Sequence, residues 1–114
     1  MLSFDEIQVS VSAWLSKKRF KHTLGVVESA THLAELYGVD VEKARLAALL
    51  HDCAKELPLK EMQNLVSAES YEADQELLNN GNLLHGLAGM IRAKQEFSIS
   101  DADVLEAIRV HTTG

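Results

Sequence analysis

Four imidazoles and a carboxylate stand at or near faces that a helical reading turns inward: His22, the adjacent pair His51 and Asp52, then His85 and His111. A helix turns by about 100° per residue, so each can be placed against its apolar neighbours. His22 lies one turn before Val26, at the border of a stripe made by Val26, Val27, Ala30, Leu33, Ala34 and Tyr37. His111 continues the face of Val104, Leu105 and Ile108, where a satisfied core histidine is the plainer reading. His85 shares a side with Ala88, Gly89 and Ala93, small residues that leave room close by, although a surface histidine in a first turn would be unremarkable. The fifth histidine, His32, shares its side with Glu28 and Glu35 and is expected in solvent, which makes it an internal control.

The segment "LAALLHDCAK", residues 46–55, is apolar nearly all the way round until it reaches His51 and Asp52. Burying a carboxylate costs several kcal/mol unless it is paired, neutralised or bound to a metal. An ion pair of Asp52 with Lys55 or Arg19 is one remedy. The other is a metal ion: imidazole and carboxylate together suit iron, manganese, zinc or nickel, and helical bundles build such sites from side chains on facing helices. Bound metal can generate a nucleophile at neutral pH and offset charge on a phosphoryl group. For such chemistry, Asp52 and Lys55 are the catalytic candidates, and Arg19, Lys55 and Thr112 the groups to hold an anionic substrate. Ordinary surface charge is the alternative for Lys55 and Arg19. Trp14 and Phe20 are read as apolar core, with adenine stacking as the rarer use of such rings.

The elements that must position these residues are helical. Apolar spacing of three and four recurs, β-branched runs are few, and one proline interrupts the chain. Helices are expected at 5–16, 19–37, 41–55, 58–68, 72–79, 84–97 and 101–112, an all-α bundle of six or seven helices forming a single domain over residues 1–114. Helix 41–55 is expected to be the central wall. Gly38 should stop the second helix, Asp40 cap the third, Pro58 open the fourth, and "NNGN" at 79–82 form a turn. "SISDAD" at 98–103 supplies caps for the last helix.

With 46% hydrophobic residues and no apolar run near the roughly 20 residues of a membrane span, a cytoplasmic protein is expected. The formal charge of −6 argues against a nucleic-acid partner, so an anionic substrate must be held locally. Lys17, Lys18, Arg19 and Lys21 form a basic cluster that could be such a local site or a solvated turn. Cys53 is the single cysteine and reads as a packed thiol.

"HTLGV", "LLHDCAKE", "LLHGLAG" and "VLEAIRVHTTG", in that order, resemble the HD-domain metal-dependent phosphohydrolases, a family named for its His-Asp pair. "KRFKHTLGV" and "IRVHTTG" are most similar to the YqeK-like group, which splits diadenosine tetraphosphate into two ADP. The resemblance implies an HD-domain bundle, a nucleotide substrate and one or two divalent ions, iron first, with manganese, zinc, nickel or magnesium as alternatives. It implies that His22, His51 and Asp52 hold the first ion and that His85 and His111 hold the second, with Asp52 able to bridge. Relatives continue past "HTTG" into helices that bring a further aspartate, so the sequence given is expected to be C-terminally short of the family pattern. Uncovered apolar faces on the last two helices are expected with it, and a homodimer could bury them. The rival functions are hydrolysis of another nucleotide or phosphomonoester, and a catalytically impaired, self-associating metal-binding fragment.

Overall fold

The structure is a computed structural model that describes residues 2–69, Tyr71 and residues 73–111. Its helices are α1 Phe4–Trp14, α2 Lys17–Tyr37, α3 Val41–Leu50, α4 Leu59–Ala68, α5 Gln75–Leu78, α6 Gly81–Phe97 and α7 Ala102–Val110, and no strand occurs among the described residues. Side-chain caps explain most starts. Ser3 and Glu6 form a reciprocal capping box at α1, Asp40 accepts the Lys43 amide at α3, and Asp101 accepts the amides of Asp103 and Val104 at α7. Gly38 closes α2 at φ +70°, a left-handed conformation that glycine adopts without a Cβ penalty.

Three helices depart from the sequence reading by three residues or more at one end, each for a local hydrogen-bonding reason. The third helix ends at Leu50, not at residue 55. Beyond it the chain tightens into successive turns, the amides of Cys53, Lys55 and Leu57 donating to the carbonyls of Leu50, Asp52 and Ala54 at 3.1, 2.9 and 3.2 Å. The sixth helix starts at Gly81 because the Asn80 side chain accepts the amides of Asn82 and Leu83, so half of the expected "NNGN" turn is helix. The fifth shrinks to four residues because Asp74 caps it at the Leu77 amide.

Residues 84–91 of α6 are buried without interruption, so α6, rather than 46–55 alone, is the central element. Leu49 and Leu50 of α3, Val11 of α1 and Ile108 of α7 are fully buried in the same core. Trp14 and Phe20 pack against this core, as expected, and the Trp14 ring stacks on Phe97 at 5.3 Å.

Helix α2 lies chiefly on α3, and its inner row is narrower than the expected stripe. Thr23 and Ala34 are buried and Val27 and Ala30 partly so, whereas Leu33 and Tyr37 are exposed together with Leu36 and Val39. A single helix partner covers only that row. Among the described residues, no large exposed apolar side chain lies on α6 or α7, so the expected uncovered face is found at the end of α2 instead.

Gly89 faces the end of α3 and the side of α7. A Cβ there would sit 3.5 Å from Ile108 Cγ2, 3.6 Å from Cys53 Sγ and 3.7 Å from the Leu50 carbonyl oxygen, which is ordinary contact. Gly89→Ala is therefore expected to raise stability by up to about 1 kcal/mol through helix propensity. Gly89→Leu, which must push those three groups apart, should lower it by about 1–3 kcal/mol. Urea denaturation of the two variants beside the parent checks the pair, and a loss of stability in the alanine variant would mean that the approach is tighter than described.

Candidate metal centre

His51 closes α3 with its backbone still in the helical region, φ −57° and ψ −34°, so its ring and the Asp52 side chain leave the chain about 100° apart. Their tips meet nonetheless: Asp52 is buried, 5% exposed, and the His51 Nε2 lies 3.3 Å from its Oδ2. The other carboxylate oxygen, Oδ1, lies 3.2 Å from Nε2 of His85 on α6 and 3.4 Å from Nε2 of His111 at the end of α7. Arg19 of α2 places Nη1 3.3 Å from Oδ2, and His22, one turn on, has its Nε2 at 4.0 Å. Four separate stretches of chain thus converge on one carboxylate.

The far side of three rings is fixed by backbone. His51 and His111 cap the C-termini of α3 and α7, where helix carbonyls lack intrahelical partners. Their Nδ1 atoms lie 2.6 Å from the carbonyl oxygens of Ala48 and Ile108, and the His85 Nδ1 lies 3.3 Å from that of Gly81. A carbonyl only accepts, so each Nδ1 carries a proton and Nε2 is the atom left to meet Asp52, as a lone pair when the ring is neutral and as a donor when it is protonated. The His85 and His111 Nε2 atoms are 3.0 Å apart. Two lone pairs facing each other beside a carboxylate require positive charge between them, supplied by a proton or a metal ion.

The titration directions agree with such a site. Burial alone would raise the Asp52 carboxyl, but the imidazoles of His111, His51 and His85 outweigh it and hold the group well below the usual carboxylate range. Burial likewise pulls His51 down, and the Asp52 carboxylate with the Ala48 carbonyl more than reverses this, so its pKa is raised. Two overlapping trios, His22 with His51 and Asp52, and Asp52 with His85 and His111, each keep their ligand atoms within 4.8 Å of one another, a donor set and spacing that can hold a metal ion.

The sequence is matched by a family model, the HD domain, over residues 19–114. The chain belongs to the HD-domain family. It is 45% identical over 104 residues to the symmetrical bis(5'-nucleosyl)-tetraphosphatase of Halalkalibacterium halodurans, covering 91% of this chain and 55% of that protein. Identity to the protein of the same name from Bacillus subtilis is 38% over 110 residues, covering 96% and 59%. A crystal structure of a predicted HD superfamily hydrolase involved in NAD metabolism from Clostridium acetobutylicum superposes with a TM-score of 0.95 at 49% identity, covering 100% of this chain and 60% of that one. The chain therefore spans a little over half the length of these HD-domain relatives.

His22 approaches Asp52 from the solvent side, its side chain 55% exposed, rather than from the core as its place beside the expected stripe suggested. His32 is exposed, as expected. Lys55 does not touch the cluster; its Nζ donates to Asn82 Oδ1 at 2.9 Å. Thr112 lies outside the described residues. Two supporting residues were not singled out from the sequence. Asn82 falls in the expected "NNGN" turn rather than in the expected sixth helix, yet it stands three residues before His85 on that helix. Arg92 donates from Nη1 to the Cys53 carbonyl at 2.8 Å while its guanidinium lies 3.6 Å from the Trp14 ring centroid, bracing the turn directly after Asp52. No spacing rule in the sequence points to that bond. Among the described residues, no helix is long and apolar enough to cross a membrane.

Cys53, beside the pair, is fully buried, with its thiol 3.5 Å from the Gly89 carbonyl and its pKa pushed up to about 12 by burial. The native protein should leave Ellman's reagent unreacted at pH 8 and release one equivalent only on denaturation. Fast native labelling would show that the turn opens readily.

Proposed function

We propose that this HD domain carries the metal-holding half-site of a hydrolase that cleaves a dinucleoside polyphosphate, diadenosine tetraphosphate to two ADP being the preferred reaction. The observation that carries the proposal is the convergence of Nε2 lone pairs from His51, His85 and His111 on the buried Asp52 carboxylate, with two of those nitrogens 3.0 Å apart. The names of the tetraphosphatase relatives support the substrate, and the fold similarity supports the reaction class.

In this reading His22, His51 and Asp52 would hold one ion, and Asp52, His85 and His111 would hold a second; Oδ2 of Asp52 faces the first pair of rings and Oδ1 the second. Iron is the first choice, with manganese, zinc, nickel or magnesium behind it. When bound, a divalent ion acidifies water and offsets charge on phosphoryl oxygens. The chain's own residues do the rest. The carbonyls of Ala48, Gly81 and Ile108 keep each ring in the tautomer that presents Nε2. Asp52, already ionised through its neighbours, needs no proton removed before it ligates. Arg19, 36% exposed at its side chain, can exchange Asp52 for a phosphate oxygen. Lys55, held by Asn82 on the same helix as His85, offers a second cation, and Thr112, next to His111 in the sequence, a hydroxyl.

Alanine replacement of His51, Asp52 or His85 should each remove most of the bound metal, measured by elemental analysis after purification without a histidine tag. His32→Ala should retain it fully. Equal losses at His32 and His51 would contradict the assignment of faces. For the substrate, metal-loaded protein is assayed on diadenosine tetraphosphate beside ATP, dNTPs, 2′,3′-cyclic nucleotides and NAD. Turnover should be highest on the first, with ADP as its nucleotide product. A preference for a cyclic nucleotide or a mononucleotide would move the chain to another HD chemistry.

A further inference from the structure

Three of the four rings at the Asp52 centre are held from behind by a helix carbonyl, and His22 is the exception. Among the described residues no hydrogen bond holds its ring, and its Nε2 stands 4.0 Å from Asp52 Oδ2, farther than the other three rings stand from the carboxylate. The place of this imidazole is therefore set by where α2 lies. The inner row of α2 grips weakly: it is made of Thr23, Val27, Ala30 and Ala34. The buried Thr23 hydroxyl has no hydrogen-bond partner among the described residues, whereas that of Thr31 on the same helix donates to the Val27 carbonyl at 2.7 Å.

Polar contacts tie the start of α2 to one stretch of chain, the turn that follows α3. Arg19 meets Asp52 Oδ2 at 3.3 Å. Three residues earlier, Ser16 donates its amide at 3.0 Å and its hydroxyl at 2.9 Å to Oε1 of Glu56, four residues after Asp52. With its proton directed at Glu56, the Ser16 hydroxyl oxygen is left to accept the Arg19 amide at 3.2 Å, which is the cap that starts α2. Glu56 orients the cap, the cap fixes the first turn, and His22 stands on the next. One turn of chain thus carries both the Asp52 carboxylate and the acceptor that places the helix of His22. In the reading above Arg19 leaves Oδ2 when the site is in use, and the Ser16–Glu56 tie is then the one that remains.

We propose that Glu56 is a positioning residue: through its two hydrogen bonds to Ser16 it holds the start of α2 against the turn, so that His22 stays within reach of the ion it shares with His51 and Asp52. The proposal rests on the assignment of His22 to an ion in the reading above. Metal–ligand distances are set to within about 0.2 Å, so a small slide of α2 is enough to weaken that bond.

The test is calorimetric titration of metal-stripped protein with manganese. His22→Ala identifies the ion concerned, as the one whose affinity it weakens. Glu56→Ala should weaken the same ion by about five- to tenfold and leave the other within about twofold, the low end for a group that orients a ligand from outside, since Glu56 is exposed and acts through a helix. Glu56→Gln, which loses the charge but keeps an oxygen for both Ser16 donors, should bind within about twofold of the parent. In the His22→Ala background Glu56→Ala should add no further loss, because the two act as one unit. Helical circular dichroism should be the same in all variants. Binding unchanged by Glu56→Ala, a further loss in the His22→Ala background, or a Glu56→Gln variant as weak as Glu56→Ala would overturn the positioning role while His22 remains a ligand. Manganese binding unaffected by His22→Ala would overturn the assignment of His22 and the positioning role with it.

Discussion

Asp52 is an ionised carboxylate inside a small helical domain, and its compensation organises everything around it. The carboxylate is 5% exposed, yet His51, His85, His111 and Arg19 all place nitrogen atoms 3.2–3.4 Å from it. A buried charge is tolerated only when paired and hydrogen-bonded, so those four side chains cannot be removed singly without cost. Each comes from a different part of the chain. The centre therefore exists only when α2, α3, α6 and α7 have packed, which couples the site to the folded state.

The helices contribute by where they stop as much as by what they bury. A C-terminus leaves carbonyls without partners, and α3 and α7 each answer this with a histidine whose Nδ1 lies 2.6 Å from a carbonyl oxygen. The same bond orders the ring and selects its tautomer. His51 keeps a helical backbone conformation, so its ring and the Asp52 carboxylate set out about 100° apart and meet at their tips. In the turn that follows, Arg92 donates to the Cys53 carbonyl while its guanidinium lies over Trp14. A core interaction thereby supports a polar centre.

Much of this was legible in the residues. Periodicity located the helices, caps at Asp40 and Asp101 fixed two starts, and the facing argument put His32 in solvent. Histidines on inward faces pointed to the meeting of the α3 end, α6 and α7 around Asp52, whereas α2 joins it through Arg19 and an exposed His22. What escaped depends on competition that a linear pattern does not encode. The end of α3 is decided by three-residue turns whose apolar residues, Cys53 and Ala54, look helical because they are buried. The start of α6 is decided by one asparagine side chain, and the exposure of Leu33 and Tyr37 by α2 burying only a narrow row on α3. Lys55 reaches Asn82 rather than the centre for a related reason: past Leu50 it is no longer one helical turn from His51.

Anomalous diffraction from crystals of the iron- or manganese-loaded protein tests the central claim most directly, since it locates ions without reference to activity. The account predicts anomalous peaks within about 2.0–2.3 Å of the Asp52 carboxylate oxygens and of Nε2 atoms of His51, His85 and His111, with Arg19 displaced from Oδ2. A loaded crystal whose ions lie elsewhere, with Asp52 still paired to Arg19 and the His85 and His111 nitrogens still in mutual contact, would contradict it.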